Sequence, residues 1–162
     1  MSLKTLAVIP ARYASTRLPG KPLLSIAGVP LILRVLRGVR RCGAVDRVVV
    51  ATDDRRIADA VTRDGGEAIM TPADLPSGGD RVAYVARQIS SEYVINVQGD
   101  DPLVDADMIE PLIAALEADP STRLALLAKK IERPDEVENP NVVKVGFDAQ
   151  GRALYFSRSP IP

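Results

Sequence analysis

The stretch "AVIPARYASTRLPGKPL", residues 7–23, holds three cations, Arg12, Arg17 and Lys21, and no carboxylate. Arginine offers a planar fork of donors and lysine a mobile point charge, while Gly20 lets backbone N–H groups approach a bound oxygen closely. A polyphosphate asks for that set. The spacing is neither the GxxxxGK[ST] of a Walker A loop nor the GxGxxG of dinucleotide-binding folds. A solvated basic loop, its arginines capping carbonyls or pairing with surface acids, is the other reading that composition allows.

Two further stretches could do chemistry. In "NVQGDDPLV", residues 96–104, Asp100 and Asp101 follow Gly99, which permits a tight turn. Their hard oxygens suit Mg2+ shared with substrate phosphates. Asp-Asp-Pro equally suits a plain turn that opens a helix. In "PSGGDRVAYV", from Pro76, Asp80 is read as a helix N-cap, which puts Arg81 in the first turn, against the helix dipole. Arg81 is therefore expected to have a partner, in a site or in a surface salt bridge.

These residues need elements to position them. Residues 5–10 are a short apolar run ended by proline, suited to a strand buried on both faces. Residues 30–43 repeat Leu31, Ile32, Val35, Leu36 and Val39 at helical spacing and stop at Gly43. "RVVVAT", residues 47–52, is the next buried strand, followed by a helix through Ile57, Ala58 and Val61 that stops at Gly65-Gly66. A weaker strand at 67–71, a helix at 80–89, a strand at 93–97 and a helix from Asp105, with Met108, Ile109, Leu112, Ile113 and Leu116 on one stripe, continue the alternation. Strands alternating with amphipathic helices predict an α/β fold with a parallel sheet covered on both faces. Ligands then bind beyond the carboxyl ends of the strands. Past Leu124 the alternation fades, and residues 142–147 and 153–156 have the spacing of a β-hairpin.

Bulk properties exclude several function classes. Lys+Arg and Asp+Glu both number 21, so nothing favours generic attraction to nucleic acid or an anionic membrane. One cysteine, Cys42, and no histidine exclude a zinc site, a Ser-His-Asp triad and a Cys-His pair. No stretch approaches the roughly 18 apolar residues of a membrane span, and no signal-peptide core is present, so a cytoplasmic protein is expected. The 162 residues, with no repeat or linker, are read as a single domain, 1–162.

Five segments, "IPARYASTRLPGKPL", "VVVATDD", "SGGDRVA", "NVQGDDP" and "NPNVVKV...GRALYFSRSPIP", together resemble the 3-deoxy-manno-octulosonate (Kdo) cytidylyltransferases, the CMP-Kdo synthetases of lipopolysaccharide biosynthesis. The match runs in order along nearly the whole chain. The resemblance implies a three-layer, Rossmann-like nucleotide-diphospho-sugar transferase fold with a mostly parallel central sheet, Mg2+ as cofactor, and CTP and Kdo as substrates. The sugar's anomeric hydroxyl would attack the α-phosphate of CTP, giving CMP-Kdo and pyrophosphate. Carried over from the family, Arg12 and Lys21 would neutralise the triphosphate, with Ala11 beside it, and Asp100 would ligate Mg2+. Ser77 and Arg81 would lie near the cytidine, Gln98 between nucleotide and sugar, and Arg158 on the sugar side.

Two departures stand out. The family usually has Ser-Gly-Thr where this chain has Ser77-Gly78-Gly79, one hydroxyl fewer. Family members also continue beyond "FSRSPIP", so the resemblance implies the CTP-binding front of such an enzyme, an incomplete fold at the C-terminus and uncertain activity alone. A second metal aspartate, most sugar contacts and much of a homodimer interface would belong to the remainder. An acylneuraminate-type nucleotidyltransferase and a non-catalytic nucleotide-binding or dimerising fragment are the alternatives.

Overall fold

The computed structural model describes residues 3–14 and 18–161. Two compact units are distinguished, Met1–Ala125 and Leu126–Pro162.

The first unit is built on four parallel strands, β1 (Leu3–Ala11), β4 (Arg47–Thr52), β5 (Glu67–Met70) and β6 (Ser91–Asn96), in the order β5-β4-β1-β6. Parallel neighbours need crossovers, and the helices α1 (Leu31–Arg40), α2 (Arg55–Arg63) and α3 (Gly78–Ala86) supply them; α4 (Ala106–Ala118) follows β6. Alternate residues of β1 go to opposite faces. Ala7 and Ile9 pack with Ile32, Val35 and Leu36 of α1, Ile57 and Val61 of α2, and Ile109 and Ile113 of α4. Leu6 and Val8 pack with Val82 and Val85 of α3. The sheet is thus covered on both faces, and burying each of the valines, leucines and isoleucines contributes roughly 1.5–3 kcal/mol. A hairpin absent from the sequence reading, β2 (Ser25–Ile26) and β3 (Val29–Pro30), precedes α1, and Arg34 Nε donates to its Ile26 carbonyl at 2.7 Å.

Three expectations shift in detail. β1 runs past Pro10 to Ala11. The Val8 carbonyl accepts from Val97 N at 3.0 Å, and Pro10, two residues on, faces the same side. The β6 ladder has ended there, so the missing proline N–H forfeits no strand bond. Asp80 is not the cap of α3. Ser77 is: its hydroxyl oxygen accepts from Asp80 N at 3.1 Å and the hydroxyl lies 2.5 Å from Asp80 Oδ2. Gly78 and Gly79, ahead of the expected start at Asp80, occupy the first helical turn. On α4 only Ile109 and Ile113 of the predicted stripe are buried, with Pro111 inside the helix.

Arg37 on α1 grips Asp64 at the end of α2, Nε to Oδ2 at 3.0 Å. That hydrogen bond, opposed by desolvation, holds the Asp64 carboxyl below its ordinary range. A depressed carboxylate contributes stability that is complete above its unfolded value of about 4 and is lost as pH falls through the folded value. Asp64→Asn is therefore expected to shrink the drop in urea midpoint between pH 6 and pH 3. An unchanged drop would show that the pair is solvated in the native state.

The second unit carries a five-residue helix, α5 (Pro134–Glu138), and the antiparallel hairpin β7 (Lys144–Phe147) and β8 (Ala153–Ser157), as the spacing predicts. Lys144 is buried, and its ammonium donates to the carbonyls of Asn139 at 3.0 Å and Arg158 at 2.6 Å.

Candidate active site

Beyond the carboxyl ends of β1 and β6 the first unit encloses a cleft of about 680 Å³. Parallel sheets place their binding crevices at that end. Gly99 allows the strand exits to converge, since a Cβ there would stand 2.5 Å from the Pro10 carbonyl oxygen. Across the cleft the opening loop returns through Gly20, at φ 71°, a left-handed conformation that favours glycine. Gly20 N donates to the Tyr13 carbonyl at 2.9 Å, and a single turn of 3-10 helix then presents Lys21.

Ala11, Arg12 and Lys21 line the cleft with Ser77, Arg81, Gln98 and Asp100. The sequence places these residues far apart; the sheet gathers them. Arg12 is exposed and has no hydrogen-bond or ion-pair partner among the described residues. Lys21 Nζ donates to Asp100 Oδ2 at 2.6 Å, so the predicted phosphate ligand and the predicted metal ligand hold each other. The two aspartates separate by role. Asp101 accepts from Leu103 N at 3.2 Å as a turn residue, whereas Asp100 faces the cleft, and its second oxygen has no hydrogen-bond partner among the described residues. Among the described residues no three His, Cys, Asp or Glu side chains converge as a protein-only metal cage. Arg17 lies outside the described residues.

Arg81 has the partner its position demanded: the Arg81 side chain is buried and that of Asp53 is 12% exposed. Its Nη2 donates to Asp53 Oδ2 at 3.0 Å, and its Nη1 to Thr71 Oγ1 and to the Pro72 carbonyl at 3.2 Å. The guanidinium is thus committed to the wall of the cleft. Asp53 Oδ1 is buried with no hydrogen-bond partner among the described residues. Sequence reasoning assigned no role to Asp53 or Thr71, although an acid at the carboxyl end of a buried strand, "VVVATDD", was the available signal. Ser77 brings the start of α3 to the cleft, where the first backbone amides lack intrahelical acceptors. Its hydroxyl is occupied by Asp80. Beside it, Gly79 has room for a Cβ, which would meet nothing nearer than Ser77 Oγ at 3.6 Å. Arg158 belongs to the second unit, where its Nη1 donates to the Pro140 carbonyl at 2.9 Å.

The family model described as cytidylyltransferase matches residues 6–162. The chain belongs to the cytidylyltransferase family. It is 52% identical over 156 residues to the 3-deoxy-manno-octulosonate cytidylyltransferase of Syntrophotalea carbinolica, covering 96% of this chain and 62% of that protein. To the protein of that name from Geobacter metallireducens it is 49% identical, covering 99% of this chain and 63% of the relative. The chain therefore spans less than two thirds of the length of these curated relatives. A solved structure of a CMP:2-keto-3-deoxy-manno-octonic acid synthetase complexed with CTP superposes with a TM-score of 0.90 at 41% identity, over 98% of this chain and 66% of that one. A cytidylyltransferase from Leptospira borgpetersenii, 22% identical over 74% of this chain and 51% of its own, shares the fold with a TM-score of 0.63.

Proposed function

We propose that this chain binds CTP in the cleft and serves the transfer of its cytidylyl group to Kdo, giving CMP-Kdo and pyrophosphate for lipopolysaccharide biosynthesis. The carrying observation is the convergence of Arg12, Lys21, Asp100 and the start of α3 on one cleft, in a chain this similar to a CTP-bound synthetase. The family model running from residue 6 to 162 supports one nucleotidyltransferase domain across both units.

Cytidylyl transfer needs no covalent enzyme intermediate, so the protein's task is positioning and charge stabilisation. Arg12, without a partner among the described residues, is available as a bidentate donor to phosphate oxygens, and Lys21 exchanges Asp100 for the triphosphate. Both cations offset charge gathering on the departing pyrophosphate. The free amides at the start of α3 favour an anionic or carbonyl acceptor. Gln98, exposed in the cleft, offers an amide between nucleotide and sugar.

Mg2+ suits the donor set. It is held in such sites by one or two carboxylates plus substrate phosphates, and Asp100 supplies a carboxylate of which one oxygen meets Lys21 and the other has no partner among the described residues. Bound there, Mg2+ would neutralise phosphate charge and act as a Lewis acid at the transferred phosphoryl group. A cytoplasmic homodimer is part of the same reading; among the described residues no helix is long and apolar enough to cross a membrane.

Calorimetry with CTP tests the assignment. The wild-type chain is expected to bind CTP, and Arg12→Ala to weaken binding about 10- to 100-fold, the equivalent of one charge-assisted contact. Pyrophosphate release with Kdo, and not with N-acetylneuraminate, identifies the acceptor. Equal affinity of wild type and Arg12→Ala would sink the phosphate assignment of this loop.

A further inference from the structure

Tyr13 and Arg56 do not line the cleft, yet they hold the loop that presents Lys21. Tyr13 follows the end of β1 by two residues, and its carbonyl accepts from Gly20 N at 2.9 Å. That bond closes the loop, so that Arg12, just before it, and Lys21, just after it, leave from a common base. The Tyr13 side chain also covers Gly20: a Cβ on Gly20 would stand 3.1 Å from two ring carbons and from the phenolic oxygen. The guanidinium of Arg56 lies 3.4 Å from the ring centroid, a close cation–π contact.

Arg56 is itself anchored. Its Nε donates to Asp54 Oδ1 at 3.0 Å and its Nη2 to Asp54 Oδ2 at 2.7 Å. Asp54 is the N-cap of α2 and accepts from Arg56 N at 2.9 Å. Their hydrogen bond holds the Asp54 carboxyl below its ordinary range and the Arg56 guanidinium above its own. Behind them Ile57 and Val61 of α2 are fully buried against the sheet. A solvated arginine needs only its carboxylate; the aromatic stack adds a link from the packed helix, through one ring, to the backbone at Gly20.

We infer that Arg56 and Tyr13 are positioning residues, a clasp from α2 to the opening loop that sets Lys21 and Arg12 for the triphosphate before it arrives. The inference rests on the nucleotide reading of the cleft. Its physical basis is preorganisation: a loop already ordered loses less conformational freedom on binding.

Amide hydrogen exchange on the ligand-free protein, paired with calorimetric CTP binding, tests it in Arg56→Ala, Tyr13→Leu and Tyr13→Phe. Opening the clasp is expected to speed exchange at Gly20 and Lys21 about tenfold or more in the first two variants, with α2 and sheet amides unchanged. CTP affinity should fall about 3- to 30-fold in the same two variants. Tyr13→Phe keeps the ring and should stay close to wild type in both readouts. Unchanged Gly20 exchange in Arg56→Ala overturns the clasp. Faster exchange with undiminished CTP affinity overturns the positioning role, and acceleration spread through α2 and the sheet shows a purely structural role and overturns it equally. If the wild-type chain leaves CTP unbound, the nucleotide reading fails, while the exchange rates still decide whether the clasp orders the loop.

Discussion

Replacing Arg81 by alanine is expected to destabilise the fold by about 3–5 kcal/mol, the usual cost of removing one partner of a buried ion pair. That is a large share of the roughly 5–15 kcal/mol that holds a domain folded. The guanidinium is almost wholly buried and serves three acceptors, Asp53, Thr71 and the Pro72 carbonyl. Its loss strands the Asp53 carboxylate, of which one oxygen already lacks a partner among the described residues. Arg81→Lys supplies a point charge that cannot reach all three acceptors in a fork, so it should recover only part of the loss. The double variant Arg81→Met/Asp53→Ala removes both charges and should be clearly more stable than Arg81→Ala alone, a non-additivity that contact pairs show. Urea denaturation of the four proteins measures this. A loss below about 1 kcal/mol in Arg81→Ala, the range of solvated surface pairs, would mean that water reaches Asp53.

Asp100→Asn is expected to abolish the enhancement of CTP binding by Mg2+, the second large effect. The amide keeps the shape and removes the charge a hard cation needs. The Lys21–Asp100 bond sets the accompanying sign. In the native protein the ammonium must leave the carboxylate to meet a phosphate; with asparagine at 100 it is released from that competition and no anion repels the triphosphate. Metal-free CTP binding should therefore hold or tighten in Asp100→Asn. In Lys21→Ala it should weaken by about 1.5–3 kcal/mol, because the contact is lost and the carboxylate is left facing the phosphates. Titrating CTP into each protein with and without Mg2+ separates the terms. An equal Mg2+ enhancement in wild type and Asp100→Asn would place the metal elsewhere and leave Asp100 as a partner of Lys21 only.

The sequence by itself determined the elements and their alternation, because hydrophobic period and turn residues are local signals. "RVVVAT" reads as a buried strand and is β4 residue for residue; Asp105 reads as the start of a helix and is the N-cap of α4. The order of distinctive segments, from the opening loop to "FSRSPIP", carried the family. The side chains' partners were another matter. Asp100 and Asp101 are chemically identical neighbours, and only Lys21, 79 residues away in the chain, sets one apart. Arg81 announced that it needed a partner, but Asp53, 28 residues earlier, became available only when β4 and α3 packed on the same sheet. Ser77 displaced Asp80 as the helix cap because its extended backbone brings the hydroxyl onto Asp80 N, a matter of dihedral angles. Tyr13, in a loop read only for its charges, meets Arg56 across 43 positions of sequence. Local windows of sequence contain the propensities that make strands and helices; they do not contain pairings between distant residues, which exist only once the parallel register has placed one strand's exit beside another's.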